Sequence, residues 1–417
     1  MTIARTYHKQ NGLGWHEWVQ DGIRMIELTG EGFLTDEAAA RFRAEFLGSE
    51  SWYGVVNDLR AQGKLVEDHP NRAQLTGYNK PFELLIEEDC NIYVPPEEDI
   101  FGMFGSDKSE EEELADRLFL VFRKDALDRD LCTKAWEGLR KAARPSKNRG
   151  VAGGKVDPAK FSRDVARIIP VGDGTRARYV TKDGIVSDTV EANTTMGGIA
   201  GYFPKTARHP YCRATAYTQS HWDLFQRSWP FLAGMDRLFE QLNPIRYQNQ
   251  LDFIAQNQLD VNGWIIPDTV YSTITVNKNF QTACHQDAGD LKSGFENFAV
   301  LEGGRHGYTG GETVFPKFRV GFNARTGDWV GMDIAHHWHG NMEILPEAEG
   351  LDDFERVSLV LYVRGDLAGA GTQEQEKTKY ARWKKKHRNP TEQHKFRAAR
   401  HAKNQSEGDF LMDVATD

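Results

Sequence analysis

The spacing of apolar positions divides the chain at about Pro267. Upstream, Leu127, Leu131, Ala135 and Leu139 recur every fourth residue among charges, predicting a helix within 121–144 that Pro145 stops. A second helix is predicted over 231–242, closed by Asn243 and Pro244. Downstream the period shortens. Residues 271–276 are rich in β-branched side chains and alternate as a strand does. Short strand-like runs then follow at 298–301, 312–315, 318–322, 329–334 and 357–363, separated by glycine turns. Such even spacing predicts a closed or double-sheet β domain rather than a parallel α/β sheet.

Four regions follow from this pattern. Residues 1–120 form a mixed N-terminal region of unread role, ending in the acidic run Ser109 to Glu113. Residues 121–244 are helical and loop-rich, 245–370 hold the β core, and 371–417 form a basic helix and tail. Between Ser146 and Lys155 lies a glycine-rich basic loop without the spacing of a nucleotide P-loop.

Composition narrows the classes. Of 417 residues 39% are hydrophobic, enough for a sizeable core, and no apolar run is long enough to span a membrane. Cys90, Cys132, Cys212 and Cys284 show no C-x-x-C spacing, which argues against a disulfide framework or thiolate zinc. The N-terminus lacks a secretory apolar segment, so a cytoplasmic location is expected. The net charge of −9 hides a local surplus: from Glu374 to Lys403, eleven Lys and Arg stand against three acidic residues. A basic cluster holding Trp383 suits a polyanion, and a solvated helix accounts for it equally well.

The candidate chemistry lies in the β region. His285 and Asp287 are two apart, so on a strand they project to one side. They would be two ligands of a 2-His-1-carboxylate triad, which leaves positions open on Fe(II) for a cosubstrate and oxygen. A second H-x-D, at His221 and Asp223, has no matching downstream partners, and His221 reads as packing or surface. The first pair is followed by His336, His337 and His339, and then by Arg356 and Ser358 on one strand face. A planar guanidinium with a neighbouring hydroxyl suits the distal carboxylate of 2-oxoglutarate.

This ordered set resembles the Fe(II)/2-oxoglutarate dioxygenases, and within them the TET/JBP family of nucleic-acid oxygenases, especially its bacteriophage-type members. The stretches that carry the resemblance are Asn277 to Asp290, Gly310 to Pro316, Trp338 to Asn341 and Arg356 to Tyr362. Asn148 to Gly153 and Tyr211 to Thr215 add to it, for a span of roughly 145–365.

The resemblance implies an α+β fold, with a double-stranded β-helix (jelly-roll) core wrapped by helices. It makes His339, directly before Gly340 and Asn341, the third metal ligand, with His337 as the fallback and His336 structural. It implies Fe(II), 2-oxoglutarate and O2 as cofactors, with Arg356 and Ser358 holding the cosubstrate. The implied reaction is hydroxylation of a 5-methylpyrimidine, flipped out of DNA, by a protein with no membrane attachment. Two positions that contact the base in animal members correspond to Asp290 and Arg364, so methylcytosine against thymine stays open. Arg149 and Arg213 are candidate substrate contacts, and the basic C-terminal segment a candidate phosphate contact. The competing readings are a hydroxylase of a protein side chain or small metabolite, and a catalytically silent DNA-binding protein on this fold.

Overall fold

The computed structural model describes residues 5–35, 39, 82–95, 110–156, 165–172, 174–287 and 289–387. Ser109 and the tail beyond His387 lie outside the described residues. The strands, in chain order, are β1 (Thr6–Gln10), β2 (Leu13–Gln20), β3 (Ile23–Leu28), β4 (Leu84–Ile86), β5 (Cys90–Tyr93), β6 (Leu118–Arg123) and β7 (Arg144–Ser146). After them come β8 (Val165–Val171), β9 (Arg176–Thr181), β10 (Thr195–Phe203), β11 (Arg213–Ala214), β12 (Thr273–Lys278), β13 (Glu296–Gly304) and β14 (Tyr308–Gly310). The last are β15 (Thr313–Phe315), β16 (Val320–Phe322), β17 (Trp329–Met332), β18 (Gly340–Asn341), β19 (Ile344–Pro346) and β20 (Phe354–Tyr362). The helices are α1 (Glu110–Arg117), α2 (Arg129–Leu139), α3 (Ala216–Ser220), α4 (Trp222–Arg227), α5 (Trp229–Leu242), α6 (Pro244–Gln256) and α7 (Gln373–Lys386).

Strands β17, β13, β20 and β12 are successive antiparallel neighbours at the centre of a large sheet. A smaller sheet runs β18-β15-β16-β4. The chain crosses repeatedly between them: β12 and β13 in the large sheet, β15 and β16 in the small, β17 back, β18 across, β20 back. That alternation is the double-stranded β-helix the resemblance implied.

Period-2 alternation along β20 divides its side chains between two layers. Val357, Leu359 and Leu361 join the helix-side core, with Ala299, Leu301 and Trp329 of the neighbouring strands. Arg356, Ser358, Val360 and Tyr362 turn to the space between the sheets, where Phe298, Phe315 and Phe322 meet them. Phe298 and Phe322 touch across that space at 5.6 Å between ring centroids.

Helix α2 shows how the outer layer forms. The Asp128 side chain caps it by accepting from Leu131 N at 2.9 Å, and Cys132, Ala135 and Leu139 make its buried stripe. The predicted helix there begins too early: residues 121–123 belong to β6. Leu118 to Phe122 is a continuous buried apolar run, and such a run does not separate strand from helix by period.

The described parts of 1–120 add strands to both sheets. β6 pairs with β17 and leads out through β5, β3, β2 and β1, while β4 pairs in parallel with β16. All four cysteines are buried, and none forms a disulfide among the described residues.

Candidate active site

His285 and His339 stand side by side because their backbones exchange both hydrogen bonds, at 2.8 and 2.9 Å. Their rings lie 4.4 Å apart. The expectation that His285 and Asp287 share a regular strand needs correcting: His285 forms an isolated bridge with His339, and Asp287 sits in the loop beyond. Asp287 is aimed by its N–H, which donates to Ile334 O at 3.2 Å. The two side chains converge all the same, with His285 Nε2 3.3 Å from Asp287 Oδ1. One ligand atom from each of His285, Asp287 and His339 lies within 4.8 Å of the others.

The donor set fits a metal. Each imidazole is held by a backbone carbonyl at Nδ1, His285 by Ala283 O at 2.7 Å and His339 by His337 O at 3.1 Å. This fixes the tautomer and leaves both Nε2 atoms as acceptors toward the centre. Burial, with His285 alongside, pushes the His339 imidazole down to about 4, so it is neutral near pH 7, as a ligand must be. Burial opposes charge on Asp287. The neighbouring His285, His339 and Arg149 outweigh it and hold the carboxyl well below its usual range.

His337 and His336 point elsewhere. His337 is buried between the rings of Phe119, at 5.4 Å, and Phe318, at 4.8 Å. His336 Nδ1 meets Asp333 Oδ1 at 2.8 Å. Asp333 also lies 3.7 Å from the fully buried Arg246 of α6, and Gln286 Nε2 donates to His336 O at 2.6 Å. The turn before His339 is thereby tied to a helix on one side and to the His285 loop on the other.

Along the inner face, Arg356 is 2% exposed and has no ion pair among the described residues. Its Nη2 donates to Gly311 O at 2.7 Å. Gly311 permits that approach, since a Cβ there would stand 2.8 Å from Arg356 Nε. Burial lowers the affinity of Arg356 for its proton, while Tyr308 and Glu312 partly offset this. A buried guanidinium without a carboxylate is costly, and an anionic ligand relieves that cost. Ser358 is buried two residues along on the same face, and Asn277 lies directly across from it on β12. Asn277 Oδ1 is buried with no hydrogen-bond partner among the described residues.

On the outer side of the triad the other sequence candidates gather. Arg149 crosses Gly197, where a Cβ would clash at 2.4 Å, and its Nη2 donates to Gly198 O at 2.9 Å and Val276 O at 3.3 Å. Asp287 and Tyr362 favour its charge against burial. Asp290 and Arg364 form a backbone bridge, and Arg364 Nη2 donates to the Tyr362 hydroxyl at 2.9 Å. Burial and the Asp287 charge raise the Asp290 carboxyl well above its usual range. Arg213 lies 5.2 Å above the Phe203 ring, and Arg364 lies 4.5 Å from the same ring. Arg213 Nη1, Arg364 Nε and Asp290 Oδ2 are buried and unpartnered among the described residues.

His221 stacks on Tyr217 at 5.0 Å and bonds Ser220 Oγ at 2.7 Å, in keeping with a packing role. Sequence reasoning missed Asn277, Phe203, Tyr308 and Tyr362. Asn277 alone carried a signal, as a polar residue at an inward position of an alternating strand.

Residues 198–365 match a family model described as Tet_JBP, the oxygenase domain of the 2OGFeDO superfamily. Over 215 residues the chain is 32% identical to the bifunctional helicase and thymine dioxygenase JBP2 of Leishmania tarentolae, covering 50% of this chain and 18% of that protein. The JBP2 of Trypanosoma cruzi is 27% identical over 291 residues, covering 68% and 21%. The thymine dioxygenase JBP1 of Leishmania infantum is 29% identical over 174 residues, covering 41% and 20%. The chain thus spans about a fifth of the length of these relatives. Residues 198–365, which carry His285, Asp287, His339 and Arg356, are thus similar to the Tet_JBP oxygenase domain of the 2OGFeDO superfamily.

Proposed function

We propose that this protein hydroxylates the 5-methyl group of a pyrimidine in DNA, 5-methylcytosine or thymine, with Fe(II), 2-oxoglutarate and O2. The observation that carries this reading is the buried, unpaired Arg356 guanidinium on the same inner face as an open His285–Asp287–His339 triad. When bound, Fe(II) with 2-oxoglutarate and O2 supplies the oxidising power that turns a C–H bond into C–OH, with succinate and CO2 formed alongside. His285 and His339 would hold the metal through Nε2, and Asp287 through its carboxylate. Arg356 and Ser358 would receive the distal carboxylate of the cosubstrate. Asn277 Oδ1, without a partner among the described residues, would accept a hydrogen bond in the same space. Arg149, Arg213, Asp290 and Arg364 would face the substrate, with Phe203 and Tyr362 offering rings against a flipped base.

The test uses purified protein with Fe(II), 2-oxoglutarate and two DNAs, one containing 5-methylcytosine and one with thymine as its only methylated base. Nucleosides are analysed by mass spectrometry while succinate is followed. A hydroxymethylated base that disappears when 2-oxoglutarate is omitted is the expected result, and it names the base. Unchanged DNA without stimulated succinate would contradict the reading and favour a hydroxylase of a protein side chain or small metabolite.

A further inference from the structure

Helix α7 is among the most polar helices described, yet it is fixed in place. Thr372 opens it with a capping box. The carboxylate of Glu376, 2% exposed, accepts from Cys212 N at 2.8 Å and Gly371 N at 3.1 Å. This pins the helix beside β11. The seam between them is aromatic: Tyr211 lies 5.1 Å from Tyr380 and 5.7 Å from Trp383, and Trp383 stacks on His387 at 4.8 Å. Tyr380 keeps 41% of its surface exposed.

The cations around that seam are of two kinds. Lys377 and Lys379 are bound to Glu374 and Glu376 at 2.6 and 2.5 Å. Lys205, Arg382, Lys385 and Lys386 are exposed and have no ion pair among the described residues. In a chain of net charge −9 this is a concentrated positive face.

The face continues toward the triad. Arg213 lies 5.8 Å from the Tyr211 ring and 5.2 Å from Phe203, and Arg364 lies 4.5 Å from Phe203 and 5.3 Å from Tyr362. Rings and guanidinium groups alternate from the helix to the neighbours of Asp287. Along the way Arg213 Nη1 and Arg364 Nε are buried without partners among the described residues. Unpaired positive charge suits a phosphate backbone, and the exposed ring of Tyr380 suits an unstacked base. An acidic peptide would satisfy the charges and leave the rings unused.

We infer that α7 and the Tyr211–Arg213 step form a platform for an unpaired nucleotide strand, leading it toward the triad. The inference rests on DNA being the substrate, and it adds that the protein prefers a single-stranded or locally opened site. Helix α7, at 14 residues about 21 Å long, is long enough to meet several phosphates of one strand.

The test is fluorescence anisotropy with a short labelled single strand and with the same sequence as duplex, across a range of salt. Wild type is expected to bind the single strand about tenfold more tightly than the duplex. Lys385→Ala with Lys386→Ala should weaken single-strand binding and flatten the log–log salt slope by about 1.4. Tyr380→Ala, at an exposed position that leaves the fold intact, should weaken binding about fivefold or more with the slope unchanged. Duplex bound as tightly as single strand overturns the unpaired-strand assignment. Variants that bind like wild type overturn the platform, as does polyglutamate competing as well as unlabelled strand. Succinate formation with duplex and with single-stranded DNA is measured in the same preparations. Protein that binds the strand but makes no succinate contradicts the proposed oxygenase chemistry and leaves the platform standing. Protein that makes succinate but binds no strand contradicts the platform alone.

Discussion

The two faces of strand β20 were built under opposite rules. Val357, Leu359 and Leu361 face the helices, are fully buried, and belong to the apolar core on that side. One residue out of step, Arg356 and Ser358 are buried almost as deeply, but they bring charge and hydroxyl into the space between the sheets. The helix-side face stabilises by removing apolar area from water, at roughly 25 cal/mol per Å². The inner face costs stability by burying groups without partners. On β20 that expense falls on one face only and ends at the metal-type triad, which marks the inner face as the functional one.

Four substitutions test that contrast, in order of expected effect. Asp287→Ala should abolish turnover and metal binding while thermal melting of the apo-protein changes little. Iron content and succinate release measure this, and a fully active variant would sink the triad assignment. Arg356→Met should raise KM for 2-oxoglutarate by about 30-fold or more. Its stability should stay level or rise, since an apolar side chain replaces a buried unpaired charge. Leu359→Ala, one face over, should do the reverse: about 2–5 kcal/mol lost in urea denaturation, with KM unchanged in the folded protein. A loss of stability in Arg356→Met as large as in Leu359→Ala would erase the distinction between the faces.

The smallest effect concerns His337. Burial pushes its imidazole down to about 4, against about 6.5 in an unfolded chain. Between those values the unfolded state binds a proton that the folded state refuses, so His337 costs stability as pH falls. His337→Phe removes that cost and suits its aromatic surroundings. Its advantage over wild type should grow from pH 6.5 down to about 4, reaching about 3 kcal/mol. The pH dependence of the difference in denaturation midpoint measures it, and a flat difference would mean that His337 is not held neutral by burial.

Much of the fold is written in local periodicity. The alternation of 271–276 and 357–363 placed β12 and β20, and the predicted helix at 231–242 lies within α5. Chemistry was legible where it sits on such elements, as with Arg356 and Ser358, or where a turn marks it, as with His339 before Gly340. The remainder depends on distant partners. The pairing of β4 with β16 joins residues more than two hundred positions apart, and nothing in Leu84 to Ile86 encodes it. The Glu376 contact with Cys212 N turns a charged helix into a docked one, and the charge run alone read equally as a solvated helix. Asn277 lies in a stretch that carries the resemblance, but only the register opposite Ser358 gives it a role.

The central claim is that the polar inner face is a joint site for metal and 2-oxoglutarate. The most direct measurement is anaerobic calorimetric titration of 2-oxoglutarate into Fe(II)-loaded protein, comparing wild type with Arg356→Met. One equivalent binding to wild type, strongly weakened in the variant and absent without metal, is the predicted result. Failure of metal-loaded wild type to bind, or equal binding by both proteins, would contradict it.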